Sequence, residues 1–175
     1  MQKIVQYTKL SFGILALVLF FTNLTLITNA QMEIPSGTGI SETPLYRSNA
    51  GNVTSINNLN DTEFLETQVS FWENGTMSGI GNVTNTGIFL ETYKSDNVIF
   101  GQGKGSMTTD NGEFINWTSY DLGEIGSDKA VKYRGIIFFS ALSEGKLDFL
   151  NNTIGLYTSD VGNNDSSLRQ IWQWK

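Results

Sequence analysis

Glycine stands at Gly101, Gly103 and Gly105 in the stretch VIFGQGKGSMTTDNGEF (Val98 to Phe114), with Lys104 between the last two and Ser106 after them. Glycine beside lysine suggests a phosphate cradle. A Walker-type loop, however, needs Gly, four residues and then Gly-Lys-Ser/Thr, whereas Gly105 follows Lys104 here. A dinucleotide fingerprint must open a helix, and Ser106 to Thr109 instead runs into a turn signal at Asn111-Gly112. A spacing of two is the side-chain period of a strand, so the three glycines share one face. With Asn111-Gly112 as a two-residue hairpin loop, Gly105 faces Thr118 and Gly103 faces Tyr120, whose ring would cover bare backbone. The other face then carries Gln102, Lys104, Trp117 and Asp121. Which face points inward stays open: a glycan on Asn116 would put the glycines outside and turn Trp117 and Lys104 inward.

Three further side chains invite a functional reading. In VKYRGIIFFSAL, a turn at Glu144-Gly145 would pair Arg134 with Gly155 and align it with Ile136, Phe138 and Leu142. An arginine among apolar groups can anchor a carboxylate; it can equally snorkel at a rim or pair with Glu91. Tyr133 shares the opposite, equally apolar face with Ile137 and Phe139. A strand apolar on both faces needs cover, from the N-terminal segment or from a second copy in a homo-oligomer. Glu91, in GIFLETY beside Tyr93, is a general base if buried and an ordinary solvated carboxylate if not. The ligand-binding candidates are therefore Arg134, Trp117, Tyr133, Glu91 and Lys104. No residue is assigned a catalytic role.

What the chain lacks excludes much. It has no histidine and no cysteine among 175 residues, so His- or Cys-based triads and the usual zinc, copper and haem sites are ruled out. The oxygen-rich SDVGNNDSS (Ser159 to Ser167) lacks the spacing and closing glutamate of a calcium loop. Neither a metal nor a cofactor is expected.

The first thirty residues carry an address. Lys3 and Lys9 precede the apolar run LSFGILALVLFF, and Thr28-Asn29-Ala30 offers small residues at a cleavage site between Ala30 and Gln31. This matches the pattern of a secretory signal peptide; an uncleaved anchor is the alternative, against which Thr22, Asn23 and Thr25 cut the run short of the ~20 residues of a span. Cleavage removes two lysines and no acid, leaving 9 Lys+Arg against 17 Asp+Glu, a net charge of −8. Such a surface suits neither nucleic acid nor an anionic membrane. A secreted or cell-surface protein is expected. Asparagine sequons at Asn52, Asn60, Asn74, Asn82, Asn116, Asn151 and Asn164 fit a glycoprotein, or the crowding of Asn, Gly and Thr into β-turns.

After residue 30 helical periodicity is absent, and short runs rich in Val, Ile, Phe, Tyr and Thr alternate with turn signals. Strands are predicted near 41–47, 63–72, 76–82, 86–93, 98–108, 113–122, 131–142, 146–158 and 167–175, with separators such as Asn74-Gly75 and Glu144-Gly145. In the last, Leu168, Trp172 and Trp174 share a face and read as core closing the barrel. Consecutive hairpins imply an all-β, antiparallel up-and-down barrel of about eight strands, with a two-sheet sandwich as the alternative. Residues 31–60, which hold both prolines, read as a flexible tether with a first edge strand, and 61–175 as the barrel domain.

The motifs VIFGQGKG…TTDNGEF, KYRGIIFF and GKLDFLNNTIGLYTSD…IWQWK, in that order, resemble an uncharacterised family of small prokaryotic, notably archaeal, proteins. More distantly, LGEIGSDKAVKYRG with the preceding hairpin looks like the barrel of allene oxide cyclases and plant dirigent proteins. That resemblance implies a calycin-like barrel, often trimeric, that binds apolar small molecules, and it transfers no catalytic residue. The expected function is an exported binding module for a small apolar ligand. A cofactor-free isomerase or cyclase using Arg134, Glu91 and Tyr93, or a structural envelope glycoprotein, are the alternatives.

Overall fold

The computed structural model describes residues 37–59, 65–140, 145–162 and 167–175. Eight antiparallel strands follow one another: β1 (Tyr46–Leu59), β2 (Glu66–Met77), β3 (Gly81–Ser95), β4 (Val98–Thr109), β5 (Phe114–Ile125), β6 (Val131–Ser140), β7 (Ile154–Val161) and β8 (Ser167–Trp174). They close in chain order into a barrel, with Tyr46 beside Ile171 and Arg47 beside Gln170 joining β1 to β8. Closure leaves no free sheet edge, which the sandwich alternative would have kept.

Strict alternation sets the inside from the outside. Along β5, Ile115, Trp117, Ser119 and Asp121 are buried while Phe114, Thr118, Tyr120 and Leu122 are exposed. The register carries this face onto β4, where Gly105 pairs with Trp117, Gly103 with Ser119 and Gly101 with Asp121. The glycine face therefore lies inside with Trp117 and Asp121, and Lys104 projects outside on the side of Asn116 and Tyr120. The two-residue loop expected from the sequence gives way to a three-residue one. Thr109 N donates to Glu113 O at 2.8 Å and Gly112, at φ 82°, closes Asp110-Asn111-Gly112. One residue more in the loop moves every cross-strand neighbour by one and exchanges the faces.

Other expectations change for equally local reasons. Asn74-Gly75 is not a turn: β2 runs through it, and the bare Cα of Gly75 accepts the ring of Tyr46, which any side chain there would strike. The β2–β3 reversal falls instead at Ser78–Ile80, where Ile80 N donates to Met77 O. Within the segment read as a tether with a first edge strand, β1 occupies 46–59 and pairs into the barrel. Residues 146–153 form no strand. A short 3-10 helix at Asp148–Leu150 follows Gly145 and drops Leu147 and Leu150 into the barrel end. Arg134 consequently pairs with Thr158 rather than Gly155.

That end is closed. Tyr46, Met77, Val83, Met107, Ile115 and Leu150 are each at most 2% exposed and fill it with Ile137, Phe139 and Ile171. Each fully buried apolar side chain of this size contributes roughly 1.5–3 kcal/mol. Trp172 and Trp174 do not belong to this core, contrary to expectation. Ile171 takes the inward position on β8; Trp172 is buried outside the central cluster and Trp174 is about half exposed. Ile40 bridges to Trp174 and extends the β1–β8 seam.

Candidate functional site

Above the closed end the interior turns polar. Glu73 of β2, wholly buried, accepts from Tyr46 Oη at 3.2 Å and Asn85 Nδ2 at 2.7 Å, and its Oε1 lies 3.4 Å from Arg169 of β8. Asn85 Oδ1 in turn accepts from Trp117 Nε1 at 2.8 Å. The Trp117 ring lies where side chains at Gly87 and Gly105 would otherwise be, and packs against Phe71 and Phe89. Arg169 stacks its guanidinium over Phe71 at 4.6 Å and stands 5.8 Å from the Tyr157 ring. Charge, aromatic faces and a carboxylate thus hold one cation in place, as a planar guanidinium permits. Burial and the neighbouring Glu73 push the Tyr46 hydroxyl far above its ordinary pKa, so it stays a donor.

Beyond this floor the strands enclose a cavity of about 430 Å³. Val53, Val69, Ile99, Val131 and Val161 supply apolar wall, with Phe71 and Phe89 toward the floor. One row of paired positions crosses it: Glu91 beside Gly101, Gly101 beside Asp121, Asp121 beside Gly135, Gly135 beside Tyr157. Glycine alternates with a polar side chain because the polar group fills the glycine's space. A methyl group at Gly101 would collide with the Asp121 carboxylate, and one at Gly135 with the Tyr157 ring. Tyr157 Oη donates a hydrogen bond to Asp121 Oδ2, and Tyr133 Oη donates to Glu91 Oε1 at 2.9 Å. Burial raises the Glu91 and Asp121 carboxyls, against the opposing pull of these tyrosine hydrogen bonds. Burial likewise raises Tyr93, Tyr133 and Tyr157, which remain protonated donors.

The sequence candidates separate cleanly. Glu91 and Tyr133 line the cavity together and Trp117 lies beneath it. Lys104 is exposed on the outer wall, by the one-residue register difference. Arg134 is also outside: even-numbered on β6, it pairs with Asp160 at 3.3 Å with both side chains about half exposed at 51% and 53%. The interior arginine is Arg169, overlooked because the tryptophan spacing in SLRQIWQWK drew attention to the even-numbered face of β8. Asp121, Tyr157 and Glu73 were missed as well. Their signal was present in the register, since each stands across from a glycine or one strand from it. Among the described sequons Asn52, Asn74, Asn82 and Asn151 are exposed and Asn116 is half-buried on the outer face; Asn60 and Asn164 lie outside the described residues. So do Ala30, Gln31 and the whole stretch read as a signal peptide.

No family model matches the chain, and no curated protein matches it. Solved structures do resemble it. A β-barrel-like protein from Acinetobacter baumannii superposes with a TM-score of 0.65 at 13% identity, over 83% of this chain and all of that one. A protein of unknown function from Clostridium acetobutylicum gives 0.63 at 11% identity, covering 75% of this chain and 97% of its own. A conserved protein of unknown function from Rhodopseudomonas palustris gives 0.61 at 10%, covering 80% and 98%. These likenesses establish a barrel fold shared with uncharacterised bacterial proteins.

Proposed function

We propose that the protein is an exported barrel that holds a small, largely apolar molecule in its open-end cavity. The observation that carries this is the cavity itself: about 430 Å³, apolar in most of its wall, with Glu91, Asp121, Tyr133 and Tyr157 converging on it. Ligand sites of roughly 300–1,000 Å³ combine apolar walls with a few placed polar groups in this way. The signal-peptide pattern and the sequons support an extracellular setting. The resemblance to ligand-holding calycin-like barrels supports the ligand class by fold analogy alone. The outer face of β5 to β6, where Tyr120, Leu122 and Phe138 are exposed, suits a homo-oligomer contact.

A second reading, a cofactor-free isomerase or cyclase, draws on the two tyrosine–carboxyl pairs, which set proton donors and acceptors in an apolar enclosure. Binding is common to both readings and is tested first. A neutral apolar fluorophore, N-phenyl-1-naphthylamine, should gain emission with the wild type and lose at least about tenfold in affinity with Val69→Trp, which fills the wall. An unchanged affinity in a folded Val69→Trp protein would place the probe elsewhere and sink the proposal.

A further inference from the structure

Resting on that reading, the charges around the cavity say which apolar molecule fits. Inside the barrel stand the carboxyls of Glu73, Glu91 and Asp121 and one guanidinium, Arg169; Lys129 lies on the exposed rim, in the β5–β6 connection. Arg169, which also lines the cavity, is ion-paired with Glu73 and stacked on Phe71 and Phe89, while its Nε has no hydrogen-bond partner among the described residues. Glu91 and Asp121 are left with tyrosine hydroxyls as side-chain hydrogen-bond partners and no cation in an ion pair among the described residues. They flank Gly101 in one row, and the missing side chain there leaves the space between them to the Asp121 carboxylate and the cavity. A second polar group points the same way. Ser159, 2% exposed and lining the cavity, has no hydrogen-bond partner for its Oγ among the described residues.

We propose that the ligand is an organic cation, an ammonium group on an apolar body, seated with its charge between Glu91 and Asp121. A ligand carboxylate would add a further negative group to an interior already short of positive ones. A neutral ligand would leave the buried Asp121 and the half-buried Glu91 with no ion-pair partner of their own among the described residues, a cost that the tyrosine hydrogen bonds, the attraction of Arg169 for Asp121 and protonation relieve only in part. An ammonium would donate to both carboxylates and to Ser159 Oγ, and the aromatic rings of Tyr93, Tyr133 and Tyr157 line the same cavity. A metal ion suits the place less well, since among the described residues no three acidic side chains come within joint reach of one.

Calorimetry on the mature full chain at neutral pH and low salt, with octylamine, 1-octanol and octanoate as matched probes, tests this. Octylamine should bind at least about tenfold more tightly than either other probe, and the Glu91→Gln, Asp121→Asn double variant should bring it down to the level of 1-octanol. Glu91→Gln alone, which keeps an amide oxygen for Tyr133, should remove part of the preference and serves if the double variant does not fold. Octanol or octanoate binding as tightly as octylamine would overturn the cation and leave the apolar cavity standing. An octylamine preference unchanged in folded variants would overturn the seat assigned to it. If none of the three binds, the binding reading fails together with this one.

Discussion

At the closed end Met77, Val83, Met107 and Ile115 fill the space between strands and Leu147 and Leu150 plug what remains, whereas at the open end the same barrel presents Val69, Ile99, Glu91 and Tyr133 around about 430 Å³ that the described residues leave unfilled. The chain has closed one end with a 3-10 turn whose leucines reach inward. At the other, carboxyls and tyrosine hydroxyls replace aliphatic groups at equivalent strand positions. Packing the second end would have been the more stable solution, since buried ionisable groups are replaced by apolar ones at little or no loss. Unfilled volume with convergent polar groups is where function is most economically sought. Glu73 marks the boundary: below it the hydroxyl of Tyr46, above it the guanidinium of Arg169.

Removing that boundary should have the largest effect. Glu73→Ala leaves Arg169 without its carboxylate and Asn85 and Tyr46 without their acceptor, and should cost about 3–5 kcal/mol in chemical denaturation, as broken buried pairs do. A loss near the size of a surface substitution would show that the floor is not what joins the two ends.

A smaller effect should separate the ends by pH. Burial raises the Glu91 carboxyl, with Tyr133, Tyr93 and Asp121 facing it from β6, β3 and β5. A carboxyl raised in the folded state stabilises the fold where it is protonated, and that contribution disappears as pH climbs from the ordinary carboxylate value through the raised one. The thermal midpoint of the empty barrel should therefore fall over this window in the wild type and fall less in Glu91→Gln. Parallel profiles would contradict a buried, cation-deficient open end. Smallest of all, Arg134→Ala should shift stability by no more than about 0–1 kcal/mol and leave ligand affinity unchanged, because its pair with Asp160 is half exposed on the outer wall. Loss of binding in that variant would reinstate it as a site residue.

The barrel was legible in the sequence because two-residue periodicity and hairpin turns are local signals, and eight successive antiparallel strands leave few ways to close. The inward face was not, because it depended on whether Asp110-Asn111-Gly112 makes a loop of two residues or three, a choice that Asn-Gly chemistry alone does not make. Gly101, Gly103 and Gly105 were correctly read as a strand face that yields space to larger groups. Their partners were one residue away from those named: Trp117, Ser119 and Asp121 instead of Thr118 and Tyr120. Glu91 and Tyr133 were visible as polar groups in apolar strands, but their hydrogen bond spans 42 residues and no local pattern announces it. Arg134 and Arg169 look alike in sequence, each an arginine beside apolar residues; only the register separates the one that meets solvent from the one that meets Glu73.

Native mass spectrometry of the protein purified from its own host addresses the central claim most directly. The account predicts a small-molecule adduct on the wild type, released on mild activation and absent from Val69→Trp. Wild-type protein free of any adduct, or an adduct retained by folded Val69→Trp, would contradict a ligand held in the open end.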